Sequence, residues 1–195
     1  MPKRRDNTLA AYTKQVTLQG GAVVTLKPMG KNDADALLRF FSRVPEEDRY
    51  YLKEDVTSRQ VISRWASGID YQRALPMLAW VNGRVIADGT LHRTRAPARR
   101  HVGEIRVVVD PEFRGKGMGT AMIRELASIA NEDIGLERLL FLLVAGKEDA
   151  AINAAAFAGF KRVGVLPGHA KDMDGTLRAI VVMEMQLSDL YDWQY

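Results

Sequence analysis

The sequence predicts an α/β fold built on one mixed, mostly antiparallel β-sheet. Three observations support this prediction. Asn82-Gly83 separates two apolar runs, which is the pattern of a tight β-hairpin. A further apolar run, 105–109, precedes a glycine-rich turn and an amphipathic stretch, which indicates strand, turn and helix. The run 139–144 then returns to the sheet, and a right-handed crossover of this kind makes the two strands parallel.

The residues before the Asn-Gly turn predict a second hairpin and three helical segments. Runs 15–18 and 22–28, separated by Gly20-Gly21, indicate two short strands. Helix starts then occur at three places, each followed by an apolar stripe or an acidic first turn: Asn32 or Asp33, Pro45, and Thr57 or Ser58.

The C-terminal part predicts two helices and three strands. The run 139–144 is apolar throughout, so we expect a strand covered on both faces. An alanine-rich helix over 148–158 follows it, and Asp174-Gly175 turns the chain between the last two strands. The helix behind the glycine-rich turn, over 120–131, should bury one stripe of side chains: Met122, Leu126 and Ile129.

Length and composition favour one domain. The 195 residues are 47% apolar, which is enough for a sizeable core. We divide them into a loose N-terminal arm (1–12), a single domain (13–190) and a C-terminal tail (191–195). No run is long enough to span a membrane, and no apolar segment follows the basic N-terminus. We therefore expect no membrane partner and a cytoplasmic location.

The net charge and the numbers and spacing of cysteine and histidine argue against some classes of function. The net charge of +4 is mild and suits an anionic cofactor. The arginine-rich run between His92 and His101 lacks interleaved aromatic residues, so we expect a solvated loop and no nucleic-acid partner. Cysteine is absent and the three histidines lack metal-ligand spacing, so we expect no metal.

The glycine-rich turn is an Arg-x-x-Gly-x-Gly sequence from Arg114 to Gly119. Such a turn, with a helix N-terminus behind it, directs backbone N–H groups at one point and binds anions. Glycine allows a diphosphate to approach the backbone closely, and Arg114 and Lys116 add positive charge. It is not a dinucleotide fingerprint, because Thr120 stands at the third glycine position, and the chain has no Gly-Lys-Ser/Thr of a P-loop. A glycine-rich surface turn is the alternative.

With the preceding Val-Asp-Pro-Glu-Phe, this loop resembles the coenzyme A pyrophosphate loop of the GNAT acyltransferase superfamily. The resemblance covers about residues 15–187. It implies the GNAT fold, with about seven strands, one splayed parallel pair and flanking helices, and it implies acetyl-CoA as acyl donor. The pyrophosphate would then contact the loop, and the pantetheine arm would contact the strand before it: Arg114, Gly115, Lys116, Gly117, Met118, Gly119 and Thr120 for the loop, and Val107, Val108 and Val109 for the strand.

The N-terminal part resembles a narrower group. The runs 16–18 and 24–28, followed by Pro45-Glu46-Glu47-x-Arg49-Tyr50, are similar to the acetyltransferase domain of bacterial protein-lysine acetyltransferases. This resemblance implies a protein lysine as acceptor. An N-terminus, a polyamine, an amino acid or an aminoglycoside stay open as alternatives, and a homodimer is one option for the assembly.

Glu104 is the candidate general base. An alkyl ammonium must lose a proton before its nitrogen attacks a thioester, and superfamily members often place a glutamate on the strand before the loop. Strand alternation puts Glu104, Arg106 and Val108 on one face and Ile105, Val107 and Val109 on the other. The alternative is that Glu104 and Arg106 simply lie on a solvated face.

One segment departs from the superfamily pattern. In 148–160, Glu148 stands at the usual asparagine position and Ala155 at the tyrosine that often protonates the leaving sulfur, while Gly159 and Phe160 match. Two functions from different classes are therefore compatible with the sequence. The chain is either an N-acetyltransferase that acts on a primary amine or a catalytically silent module that senses acyl-CoA.

Overall fold

The computed structural model describes residues 9–189, and these form one eight-stranded sheet. The spatial order of its strands is β1-β2-β3-β4-β5-β6-β8-β7. The mixed, mostly antiparallel sheet is confirmed, with β5 and β6 as its parallel pair. It has eight strands, where we expected about seven. Their bounds are β1 Lys14–Thr17, β2 Val23–Pro28, β3 Ala74–Val81, β4 Arg84–Arg93, β5 Val102–Val109, β6 Arg138–Val144, β7 Lys161–Lys171 and β8 Leu177–Gln186.

Five α-helices flank the sheet in the described range. They are α1 Ala34–Phe41, α2 Glu46–Arg49, α3 Arg59–Ser67, α4 Met118–Ser128 and α5 Asp149–Phe157. A π-helical turn, Ile129–Ile134, extends α4. Among residues 9–189, no helix combines the length and the apolarity that crossing a bilayer requires.

One glycine turn has the predicted geometry, and a second moves the start of a helix. Asn82 and Gly83 have φ angles of 48° and 76°, as the tight hairpin between β3 and β4 requires. Helix α4 begins at Met118, two residues earlier than expected, because Gly117 adopts a left-handed N-cap conformation with φ 85°. The predicted stripe of Met122, Leu126 and Ile129 is buried.

The sheet separates two hydrophobic cores. The first core lies under α4 and α5 and includes Ile105, Met122 and Phe141. The second core lies under α1 and α3 and includes Phe40 and Leu78. Helix α4 packs closely on β4 at Gly89, since a Cβ there would lie 2.4 Å from Met122 Cγ.

The chain is packed from the first described residues onward. Leu9 is buried in the first core, and the Tyr12 hydroxyl donates a hydrogen bond to Glu125 Oε1. Both residues fall within the range that we assigned to a loose arm. The rest of that arm (1–8) and the predicted tail (191–195) lie outside the described residues.

Strand β6 departs from the expectation of a strand covered on both faces. Leu139, Phe141 and Leu143 are buried, but Leu140 and Leu142 are only half-buried. Within residues 9–189, the second core, under α1 and α3, includes residues of β3, β4 and β5 but none of β6. The apolar run therefore reflects one covered face and one partly open face.

Asp88 is a buried carboxyl on β4 in the second core. Its Cα is paired with those of Leu78 and Val108, both members of that core or packed against it. Within the described residues its Oδ1 atom has no hydrogen-bond partner. Burial raises the pKa of Asp88 to about 7. The folded protein therefore retains a proton that an unfolded aspartate has already lost at pH 5.

This pKa gives a pH-dependent stability. Because the folded pKa is raised, the contribution is complete below about pH 4, falls as pH rises, and is lost above pH 7. We expect Asp88→Asn to remove this dependence. The free energy of unfolding of the variant, relative to that of the parent protein, should therefore rise by roughly 2 kcal/mol from pH 5 to pH 8. Urea unfolding at both pH values measures it.

Asp35→Asn is the control for this measurement, since Asp35 is 62% exposed and pairs with Arg59 at the surface. Because exposed ion pairs contribute little, its stability should differ from that of the parent protein by less than about 1 kcal/mol at both pH values. Parallel pH curves for Asp88→Asn and the parent protein would show that Asp88 is ionised in the folded state across this range.

Candidate functional site

Strands β5 and β6 separate partway along their length. Their parallel pairing runs from Val102 and Arg138 only as far as Glu104 and Leu140. Beyond it, β5 stays paired with β4 up to Val109, and β6 stays paired with β8 up to Val144. The backbone edges that face each other after Glu104 are therefore not bonded to each other. We call this opening the gap.

The glycine loop lies at the end of the gap. Gly115 and Gly117 have φ angles of 68° and 85°, which side-chain-bearing residues rarely adopt. Among the backbone–backbone hydrogen bonds of loops and turns in the described residues, none is donated by the N–H groups of residues 115–119. These groups stand at the N-terminus of α4. The loop thus has free donors and a helix dipole at one point, the features of an anion site.

The two cations of the loop are held by other parts of the chain. Arg114 donates a hydrogen bond to Val109 O at 3.1 Å and pairs with Asp48 Oδ2 at 2.8 Å. Lys116 Nζ donates to Glu112 O at 2.7 Å. Both side chains are solvated at the mouth of the loop, so an anion there would compete with these partners.

Asp110 anchors the start of the loop. This buried carboxylate accepts hydrogen bonds from Arg43 Nε at 2.8 Å, from an Arg84 guanidinium nitrogen at 2.9 Å and from Glu112 N at 3.1 Å. Burial alone would raise the pKa of Asp110, but the two guanidinium groups outweigh burial and hold it below the usual range. The sequence showed Asp110 as part of the loop motif without indicating this role.

Glu104 lies at the point where β5 and β6 separate, on the face of the sheet that carries Arg106 and Val108. Lys53 Nζ donates to its Oε1 atom at 3.1 Å. His92 is opposite Glu104 in β4. Burial and the charge of Lys53 lower the pKa of His92, while Glu104 acts against them, so the surroundings favour the neutral imidazole.

Glu148 lies at the other side of the gap. Its carboxylate accepts a hydrogen bond from Val144 N at 2.7 Å. Because Ala145 N is bonded to β8, Val144 N points away from β8 and into the gap. Burial raises the pKa of Glu148, whereas the Val144 N–H and the charge of Arg106 oppose this rise. Ala155, the other departure from the superfamily pattern, is completely buried in the first core.

Residues 48–53, which we call the strap, connect three sides of the gap. Asp48 pairs with Arg114 of the glycine loop, and Lys53 pairs with Glu104. Between them, the Tyr50 hydroxyl lies 3.5 Å from the carbonyl oxygen of Asp172, in the turn between β7 and β8. The strap thus reaches the loop, the candidate base and the far end of the sheet.

The structure brings most of the candidate residues to one place. The loop residues from Arg114 to Thr120 lie at the end of the gap, Val107 to Val109 form its β5 edge, and Glu104 lies at its origin. The alternation of faces along β5 is confirmed, since Val107 and Val109 pack on the first core and Val108 packs on the second. Sequence reasoning did not place Lys53 or His92 beside Glu104, and it did not pair Asp48 with Arg114.

Comparisons with known proteins agree with this geometry. A model described as the Acetyltransferase (GNAT) family matches residues 36–160. A Bacillus subtilis (strain 168) protein named as a phosphinothricin acetyltransferase is 24% identical over 166 residues, which covers 85% of this chain and 100% of that protein.

Solved structures also share the fold, among them these two. The GNAT domain of S. lividans PAT has a TM-score of 0.75 at 22% identity, with 91% of this chain and 98% of that chain covered. RimJ of Mycobacterium smegmatis, solved in complex with CoA-disulfide, has a TM-score of 0.72 at 20% identity, with 91% and 88% covered.

Asp110→Asn tests the anchor of the loop. We expect the substitution to lower the free energy of unfolding at pH 7 by about 1–3 kcal/mol, because two guanidinium groups lose their buried partner. Since the pKa of Asp110 is lowered, its contribution is present at neutral pH and disappears in acid. The difference between variant and parent should therefore shrink when urea unfolding is repeated near pH 3.

Glu112→Gln is the matched control. Glu112 also pairs with Arg84, but its side chain is 67% exposed, so the change should alter stability by less than about 0.5 kcal/mol. If both variants had the same stability, Asp110 would not be the anchor.

Proposed function

Because this chain belongs to the acetyltransferase (GNAT) family, whose members are acyl-CoA-dependent N-acetyltransferases, we propose that it transfers an acetyl group from acetyl-CoA to a primary amine. The observation that carries this proposal is the gap. A pantetheine arm needs an open strand edge, and here that edge leads from Glu104 directly to a loop with free N–H groups.

We assign the contacts of acetyl-CoA to the glycine loop and to the β5 edge of the gap. The diphosphate binds the N–H groups of residues 115–119 at the start of α4, with Thr120 in the first helical turn. Arg114 and Lys116 add positive charge at its edge. The pantetheine arm then lies along the unpaired edge of Val107, Val108 and Val109, which places the thioester toward Glu104.

Glu104 acts as the general base in this proposal. It lies at the origin of the gap, and its hydrogen bond to the Lys53 ammonium shows that a cationic amine can reach it. The carboxylate takes a proton from the acceptor ammonium, and the freed nitrogen attacks the thioester carbonyl. The tetrahedral oxyanion is stabilised by backbone N–H near Val107 or Val108. The thiolate is a fairly good leaving group, so the buried Ala155 does not block the reaction.

The acceptor is a primary amine, and we propose a protein lysine as its first candidate. The support is the similarity of the fold to the S. lividans PAT domain and the ion pair that already places a lysine on Glu104. A small amine is the alternative, favoured by the relative named as a phosphinothricin acetyltransferase. We further propose a cytoplasmic location, where acetyl-CoA is available, and a homodimer as the assembly to test.

Gly119→Val tests the cofactor site. The Cβ of this residue would lie 3.8 Å from both Val109 Cγ2 and Ala154 Cβ, which is ordinary contact, and Gly119 does not need a positive φ. We expect a folded variant whose valine projects into the end of the gap and weakens acetyl-CoA binding by at least about tenfold, an effect of roughly 1.4 kcal/mol. Titration calorimetry measures the affinity.

Gly164→Val is the control, because its Cβ would also meet only an ordinary contact, 4.0 Å from Val182 Cβ on the distant β7. It should bind acetyl-CoA like the parent protein. Full affinity in a folded Gly119→Val variant would overturn the cofactor assignment.

Glu104→Gln tests the base. The amide keeps the shape but not the basicity, so we expect turnover at neutral pH to fall by about 10²–10⁴-fold. Turnover should recover partly at high pH, as more acceptor is present as free amine, and acetyl-CoA affinity should change little. The measurement is CoA release with a panel of lysine peptides and small amines.

Glu184→Gln is the matched control, since Glu184 is a half-buried carboxylate on the same face of the sheet and also pairs with a cation, Arg138. Its turnover should stay within a few-fold of the parent protein. Acetyl-CoA binding without CoA release on any amine would instead support a silent sensor module.

A further inference from the structure

The side-chain amine of Lys53 contacts Glu104, the proposed base. Its Nζ atom donates a hydrogen bond to Glu104 Oε1 at 3.1 Å. In the proposed reaction an acceptor amine must come within hydrogen-bond distance of the same carboxylate to lose its proton. Lys53 therefore occupies the position that the acceptor amine has to reach.

The strap keeps Lys53 beside the gap. Asp48, at the start of this segment, pairs with Arg114 of the glycine loop, and the Tyr50 hydroxyl contacts the carbonyl oxygen of Asp172. The backbone that carries Lys53 is thus tied to both sides of the open end of the gap. An amine held in this way has a far higher effective concentration at the reacting centre than a lysine elsewhere on the surface.

The ion pair leaves the Lys53 amine free to react. The Lys53 side chain is 62% exposed and that of Glu104 is 31% exposed. Ion pairs with this much solvent contact are worth only about 0–1 kcal/mol. The long lysine side chain can therefore leave the carboxylate and turn to the thioester without a large energetic cost.

We infer that Lys53 is a site of self-acetylation, an inference that rests on the proposed function of the gap and of Glu104. The Glu104 carboxylate removes one proton from the Lys53 ammonium, and the nitrogen lone pair attacks the thioester carbonyl carbon. A C–N bond forms and the C–S bond breaks as the tetrahedral intermediate collapses. The thiolate takes up the proton that Glu104 removed, which gives CoA and restores the carboxylate, and the second amine proton is released to solvent.

Acetylation of Lys53 stops after one acetyl group has been transferred. Acetyl-lysine has no positive charge and no amine, so it neither pairs with Glu104 nor accepts a second acetyl group. The reaction consumes one acetyl-CoA per chain. It occurs within one molecule, so its rate does not depend on protein concentration.

Lys161 provides an internal comparison. Its Nζ atom also lies near a carboxylate, 3.8 Å from Asp189 Oδ2, and its side chain is 80% exposed. Lys161 is on β7, away from the gap. Chemical acetylation by acetyl-CoA in solution should therefore modify Lys161 at least as readily as Lys53.

The experiment incubates the full chain with isotope-labelled acetyl-CoA and follows each lysine by peptide mass spectrometry. We expect Lys53 to be acetylated at least about tenfold faster than Lys161, with a rate that is unchanged on dilution of the protein. In Glu104→Gln, labelling of Lys53 should fall to the level of Lys161. Lys53→Arg keeps the positive charge and should lose the fast label from the whole chain.

The outcomes separate this inference from the function on which it rests. If the protein binds acetyl-CoA and acetylates an added amine, but labels Lys53 no faster than Lys161, self-acetylation is wrong and the proposed function stands. If fast labelling of Lys53 survives Glu104→Gln, the modification does not use the proposed base and the inference fails. If acetyl-CoA does not bind at all, both fail.

Discussion

The separation of β5 from β6 is the constraint on which the rest of the structure depends. Each of these strands is held on its other side by a long antiparallel partner, β4 and β8 respectively. The parallel seam between them ends at Glu104. The sheet is therefore two antiparallel halves joined over a short seam, and the twist of each half carries its strand away from the other. The open edge is a product of this topology rather than of any one side chain.

An open edge and a glycine loop both leave backbone groups without partners, and such groups are stable only where water or a ligand reaches them. In this chain the surroundings fix the loop while its donors stay free. Asp110 ties the start of the loop to Arg43 and Arg84, and Gln19 N donates to Lys116 O from the opposite side. The rigidity needed to point several N–H groups at one spot thus comes from contacts outside the loop itself.

The sequence predicted local features well and distant contacts poorly. Asn82-Gly83, the glycine loop and the alternation along β5 each depend on neighbouring residues, so their patterns are visible in the chain. Asp48 and Arg114 are 66 positions apart, and Lys53 and Glu104 are 51 apart, so no local periodicity relates them. The same limit explains Leu140 and Leu142: their apolarity was visible, but the absence of a covering helix at β6 depends on the tertiary fold.

The two charged side chains assigned to ligand binding already have ion-pair partners within the chain. Arg114 and Glu104 carry opposite charges, and the strap supplies a partner of matching sign to each of them, Asp48 and Lys53. In the proposed reaction, a diphosphate that binds Arg114 displaces Asp48, and an acceptor amine that binds Glu104 displaces Lys53. Both displaced side chains belong to the same six residues, so we expect either event to loosen the contacts that hold the other. In the proposed reaction the two substrates are therefore coupled through the strap, although their proposed sites lie at opposite ends of the gap.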